Sequence, residues 1–142
     1  MSMRDYAFDD YGLLLTEETL KILASKIVIA KGEEYSDELY ENDPEFYNDL
    51  VTDELDIEYN SEFTGEATLV KENGAEDWDD SITFNNDILR YVRVDKYPNL
   101  FRAAYNSIDD VVEEFKAKLG EYLPDDFDYK ANFRHIVGTY YG

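Results

Sequence analysis

At 142 residues the chain is the size of one ordinary domain, and 44% hydrophobic with 15% aromatic residues sets it apart from aromatic-poor disordered acidic chains. The absence of cysteine excludes disulfide scaffolds, thiolate metal sites and cysteine nucleophiles, and is compatible with the cytoplasmic location expected here. A formal net charge of −21 argues against direct contact with nucleic acid or acidic lipid headgroups, and an N-terminus carrying Asp5, Asp9 and Asp10 predicts neither a secretory signal nor a membrane span.

The first predicted element is a helix opening at Thr16, an N-cap followed by Glu17 and Glu18 at the positive end of the helix dipole. Leu20, Leu23, Ala24 and Ile27 recur at helical spacing and assign it to the core, and Lys31-Gly32 marks its end. Two short acidic helices follow: one capped by Ser36 and running through Leu39 and Tyr40, one opening at Asp43-Pro44-Glu45 with Phe46, Tyr47, Leu50 and Val51 as its apolar side.

From Ile57 the pattern alternates, with Ile57, Tyr59, Ser61 and Phe63 on one side, as in a half-buried strand. Gly65 breaks or bulges the run, and a second strand from Ala67 to Lys71 leads into Asn73-Gly74, a hairpin dipeptide. Glu76 to Asp80 reads as a loop; Ile82 to Phe84, a turn at Asn85-Asn86 and Ile88 to Val94 read as two further strands. Pro98 opens a helical segment through Tyr105, and Ser107 with Asp110 resembles a capping box for a helix carrying Val111, Val112, Phe115 and Leu119 that should pack on the sheet. Tyr129 to Tyr141 is assigned as a strand, with a helical first half as the alternative. The expected fold is α+β: residues 1–142 as one acidic domain, with an antiparallel sheet of about four to five strands packed against helices and the short acidic helices ahead of it.

The raw material for catalysis is sparse. His135 is the sole histidine, which excludes multi-histidine metal sites, and it reads as a strand residue beside Arg134. Phosphate-cradling glycine loops, nucleophile elbows and zinc-protease motifs are absent, no EF-hand spacing occurs, and pairs such as Asp79-Asp80 read as solvated loop residues. No cofactor is expected, and calcium or magnesium should bind the acids only weakly and adventitiously.

The feature above background is where the charge lies. Between Glu33 and Asp87 there are 20 Asp and Glu residues against one cation, Lys71, so this stretch holds a net −19 of the total −21. Charge of one sign gathered into one segment, rather than interspersed, is the mark of a surface meant for a cationic partner. A globule of this length is on the order of 37 Å across. Duplex DNA carries roughly 22 negative charges over that span.

In composition and charge layout, though in no motif, the chain resembles acidic phage-encoded counter-defence proteins. That likeness implies a non-enzymatic nucleic-acid mimic, of anti-CRISPR or anti-restriction type, that blocks a basic nuclease or CRISPR effector in the host cytoplasm. The alternative is an immunity or antitoxin protein covering the basic active site of a nuclease toxin. The expected partner-binding acids are Glu33, Glu34, Asp37, Glu38, Glu41, Asp43, Glu45, Asp49, Asp53, Glu54, Asp56, Glu58 and Glu62, with Tyr35, Tyr40, Tyr47 and Trp78 as aromatic anchors.

Overall fold

The computed structural model describes residues 5–94 and 108–141; the helical segment expected from Pro98 to Tyr105 and the Ser107 cap lie outside them. The described chain is α+β, with strands β1 (Asp5–Leu14), β2 (Glu58–Val70), β3 (Glu76–Arg93) and β4 (Phe133–Tyr141). Its helices are α1 (Glu17–Ala30), α2 (Asp37–Asn42), α3 (Pro44–Leu55) and α4 (Ile108–Leu119). Among the described residues no helix is long and apolar enough to cross a membrane.

The first three helices start where the sequence places their caps. The side chains of Thr16, Ser36 and Asp43 accept the backbone N–H groups of Thr19, Leu39 and Phe46, satisfying donors that have no intrahelical partner. α1 closes at Lys31, and Gly32 continues at φ +79°, a left-handed conformation open to glycine without strain.

The four strands match the expected four to five, but they depart from expectation in continuity and order. β1 precedes the acidic helices, so these sit between two strands rather than ahead of the sheet. The runs on either side of Gly65 form one strand, β2, and Asn85-Asn86 is no turn but an irregularity inside β3, where Asn86 takes φ +58°. Glu76 to Asp80, expected as a loop, opens β3. Asn73-Gly74 does close the β2–β3 hairpin: Gly74 sits at φ +81°, and the Lys71 N–H donates to the Ala75 carbonyl at 2.7 Å. The final segment is a strand, β4, preceded by a single 3-10 turn at Lys130–Asn132.

All pairings are antiparallel, and because β1 pairs with both β3 and β4 while β2 also pairs with both, the sheet closes in the order β1-β3-β2-β4. Closure gives each strand two buried faces along part of its length. Leu14, Phe63, Ala67, Leu89, Tyr91 and Ile136 point into the barrel. Leu13, Val70, Val92 and Phe133 point outward and share a second cluster with Leu23 and Ile27 of α1, Val51 and Leu55 of α3, and Val111, Phe115 and Leu119 of α4. The alternation read from Ile57 to Phe63 is therefore split: Ile57 belongs to the outer cluster and Phe63 to the interior, the register shifting near Glu62, which takes φ +54°.

Aromatic rings fill the interior. Phe8 meets Phe63, Tyr91 and Tyr140 edge to face at 5.6, 5.6 and 5.8 Å between centroids, and Phe63 meets Phe84 at 5.8 Å. Gly65 and Gly138, paired across β2 and β4, make this possible, because a Cβ on either would collide with the opposing strand's backbone and lie 2.9 Å from Phe63 Cζ. Gly138→Ala is expected to destabilise the fold by about 3 kcal/mol, as overpacking against backbone does; an unchanged urea midpoint would show that the strands have room to separate.

Candidate interaction surface

All thirteen carboxylates assigned to partner binding are exposed. Glu33 and Glu34 lie between α1 and α2, Asp37, Glu38 and Glu41 on α2, and Glu45, Asp49, Asp53 and Glu54 on α3. Asp43 caps α3, Asp56 ends it in the left-handed region at φ +51°, and Glu58 and Glu62 continue onto β2.

Four of the thirteen already serve the fold. Glu41 lies 3.6 Å from Lys21 Nζ, Glu54 accepts from Lys31 Nζ at 3.2 Å, Asp49 accepts from Arg90 Nη2 at 2.8 Å, and Asp43 holds the α3 N-terminus. Glu33, Glu34, Asp37, Glu38, Glu45, Asp53, Glu58 and Glu62 have no cation within 4.0 Å among the described residues.

Arg90 fixes α3 to the barrel. Its guanidinium, on a side chain only 7% exposed, donates from Nη2 to Asp49 and from Nε to Thr52 Oγ1 at 2.9 Å, and lies 4.8 Å from the centre of the Tyr59 ring on β2. Thr52 in turn donates to the Asn48 carbonyl at 2.7 Å. On α3, Glu45, Asp49 and Asp53 are four residues apart and share one stripe, with a rise of about 6 Å between neighbours. A DNA strand presents one phosphate per about 3.4 Å of axis. The stripe alone is thus sparser than a phosphate backbone, and a replica needs the acids of α2 and β2 beside it.

The aromatic anchors are rearranged. Tyr40 is 1% exposed, so it is no anchor: its ring fills the seam between helices and its hydroxyl donates to Asn48 Oδ1 at 2.6 Å. Tyr35 and Tyr47 are half-buried against the outer cluster, in an edge-to-face pair at 5.9 Å. Burial and the nearby Asp37 carboxylate push the Tyr35 hydroxyl up to about 12. Phe46, read from the sequence as part of the apolar side, is instead 57% exposed and packs edge to face on Tyr47 at 5.1 Å. The signal was available, since Tyr47, Val51 and Leu55 at four-residue spacing define the inward stripe and Phe46 falls beside it. Trp78, assigned as an anchor, is exposed.

His135 is a strand residue, as expected, but does more than pack. It stacks on Tyr11 at 4.3 Å between centroids, with Nε2 2.7 Å from Asp9 Oδ1 and Nδ1 against the Glu76 carboxylate, so β1, β3 and β4 meet around one ring. Among the described residues no group of three or more His, Asp or Glu side chains is arranged to hold a metal ion.

No protein-family model, no curated protein and no solved structure matches this chain.

Two outcomes follow from this geometry. Asp49→Ala should cost about 3 kcal/mol, because it strands a buried guanidinium. Arg90→Met should cost about 1 kcal/mol, because Asp49, 54% exposed, is rehydrated; an Asp49→Ala urea midpoint equal to that of the unaltered protein would show that the Arg90–Asp49 pair does not fasten α3. Tyr35, Tyr40, Tyr91 and Tyr129 are all raised from 10.0, chiefly by burial. Neutral phenols therefore stabilise the native state fully below pH 10, and that contribution is lost as pH rises through the native values, about 12 for Tyr35. The urea midpoint should fall across that window, with phenolate absorbance rising as the chain unfolds.

Proposed function

We propose that this protein is a non-enzymatic inhibitor that presents carboxylates in place of phosphates and occupies the basic groove of a nucleic-acid-binding defence protein, a nuclease or CRISPR effector. The observation that carries the reading is the set of exposed carboxylates Asp37, Glu38, Glu45, Asp53, Glu58 and Glu62 without described counter-cations, backed by a scaffold that the capped helices and Arg90 hold in place. A preorganised acidic surface gains affinity because little side-chain and backbone freedom is lost on docking, and it steers a basic partner at long range.

Phe46 favours a second reading. A phosphate replica has no use for an exposed phenyl ring, whereas an immunity protein seated on a basic nuclease toxin gains from an aromatic anchor among its charges. Both readings use the same face and a cationic protein partner. They differ in the partner and in what is lost on binding: nucleic-acid binding by a defence protein in the first, and turnover at the covered active site of a nuclease toxin in the second.

The test begins with affinity capture from a lysate at low salt and identification of the captured proteins. The captured partner is then assayed for nucleic-acid binding with and without this protein. Competition that weakens steeply with added salt is the expected result. Replacing Asp37, Glu45, Asp53 and Glu58 by lysine should weaken the complex by about a hundredfold or more, since juxtaposed like charges cost several kcal/mol. A partner that binds nucleic acid equally well in the presence of this protein rules out mimicry, and an unaffected quadruple variant moves the contact to another face.

A further inference from the structure

β3 carries a bulge near its start. Leu69 pairs with Asp77 while its neighbour Thr68 pairs with Ser81, so Trp78, Asp79 and Asp80 stand opposite no residue of β2. Such a bulge forfeits ladder hydrogen bonds, and bulges that persist commonly re-aim a side chain. This one is held at both ends. Arg134, 5% exposed on β4, donates from Nη1 to the Asp80 backbone carbonyl at 2.5 Å and lies 3.4 Å from its Oδ1. At the other end the Asp79 N–H donates to Asp77 Oδ1 at 3.1 Å, and Asp77 is 3.5 Å from Lys71 Nζ.

What the bulge displays is the chain's one tryptophan, 64% exposed. Among the described residues no ring or cation lies against its indole, and Asp79 beside it is exposed with no cation within 4.0 Å. An indole left in water forgoes burial that would stabilise the fold, while a buried arginine holds in place the segment that exposes it.

We propose that Trp78 and Asp79 form a docking point for an arginine side chain on a basic segment of the partner, with the guanidinium over the indole face and bonded to the Asp79 carboxylate. The indole is the strongest cation–π acceptor among side chains, and a planar guanidinium both stacks on it and reaches a neighbouring carboxylate, which a lysine ammonium does less well. Charge selects this occupant over the others. A second copy would bring Asp77, Asp79 and Asp80 toward their own counterparts at a net −21 per chain, and phosphate-bearing partners are repelled. The assignment rests on the reading of a cationic protein partner and adds a recognition element lying outside α2 and α3.

Because Trp78 is the only indole, its emission reports on this point alone. Oligoarginine titrated into the protein at low salt should change the emission with the same midpoint as the calorimetric binding curve. Trp78→Ala should raise the oligoarginine Kd about 3- to 30-fold, with a smaller effect on oligolysine; Asp79→Asn should act in the same direction. Emission that stays constant while calorimetry records binding overturns the proposal and leaves the acidic-surface reading standing, as does an equal Kd for Trp78→Ala with its circular dichroism unchanged. Failure of both peptides to bind at low salt overturns the two readings together. A concentration-dependent emission change accompanied by dimers in sedimentation assigns the indole to a second copy and also overturns the proposal.

Discussion

The seating of α3 on the barrel turns on one charge pair, a buried guanidinium answered by a carboxylate. Arg90 sits at the end of β3, almost wholly buried, and reaches α3 through Asp49 and Thr52 while its plane lies over Tyr59 of β2. A buried cation is tolerable only with its charge answered and its donors used. In a chain of net −21 a carboxylate is the readily available answer, so the surplus of acid that strains the fold by self-repulsion also supplies the fastening. On β4 the buried Arg134 takes up Asp80 through Nη1, while its Nε is left without a partner among the described residues. The two buried arginines mark the two places where acidic segments are held on the sheet.

Closure of the sheet governs what else is exposed. Each strand has an inner face against the aromatic interior and an outer face that the helices cover in part, so the apolar residues of the strands are largely used up in two clusters. Singly exposed apolar side chains are ordinary, and Ile29, Ile82, Ile88 and Val137 are among them here, but two large aromatic groups stand within acidic surroundings. Phe46 stands on the acidic helix, packed edge to face on Tyr47, and Trp78 stands on the β3 bulge, whose far end Arg134 holds through Asp80. Aromatic anchors within acidic surroundings are suited to a protein partner rich in arginine and lysine.

The helices were legible because their signals are local. A capping side chain, a proline at the first position and an inward stripe at four-residue spacing act within one or two turns, and Thr16, Ser36, Asp43 and Pro44 stand where such reasoning puts them. β1 was illegible because its apolar residues at Leu13 and Leu14 serve opposite faces, while Asp9 and Asp10 interrupt the pattern toward its start. Asp10 is nonetheless usable in a strand because Tyr91, from β3, donates to it at 2.8 Å. The breaks read at Gly65 and at Asn85-Asn86 are real irregularities that do not end their strands. Pairing with a neighbour on one or both sides carries the ladder past them, and no local rule contains that information.

The amino-acid sequence by itself determined the charge and its confinement to one segment, the α+β class, the helix starts and the Asn73-Gly74 hairpin, since each follows from composition or from interactions within a few residues. Only the tertiary structure decided which acids face solvent unpaired and which hold Lys21, Lys31 and Arg90, that Tyr40 lies inside while Phe46 and Trp78 lie outside, and that the sheet closes on itself. Those outcomes turn on contacts between residues distant along the chain, such as Arg90 with Asp49 or Gly65 with Gly138, and they depend on the space and charge that the whole fold leaves at each position.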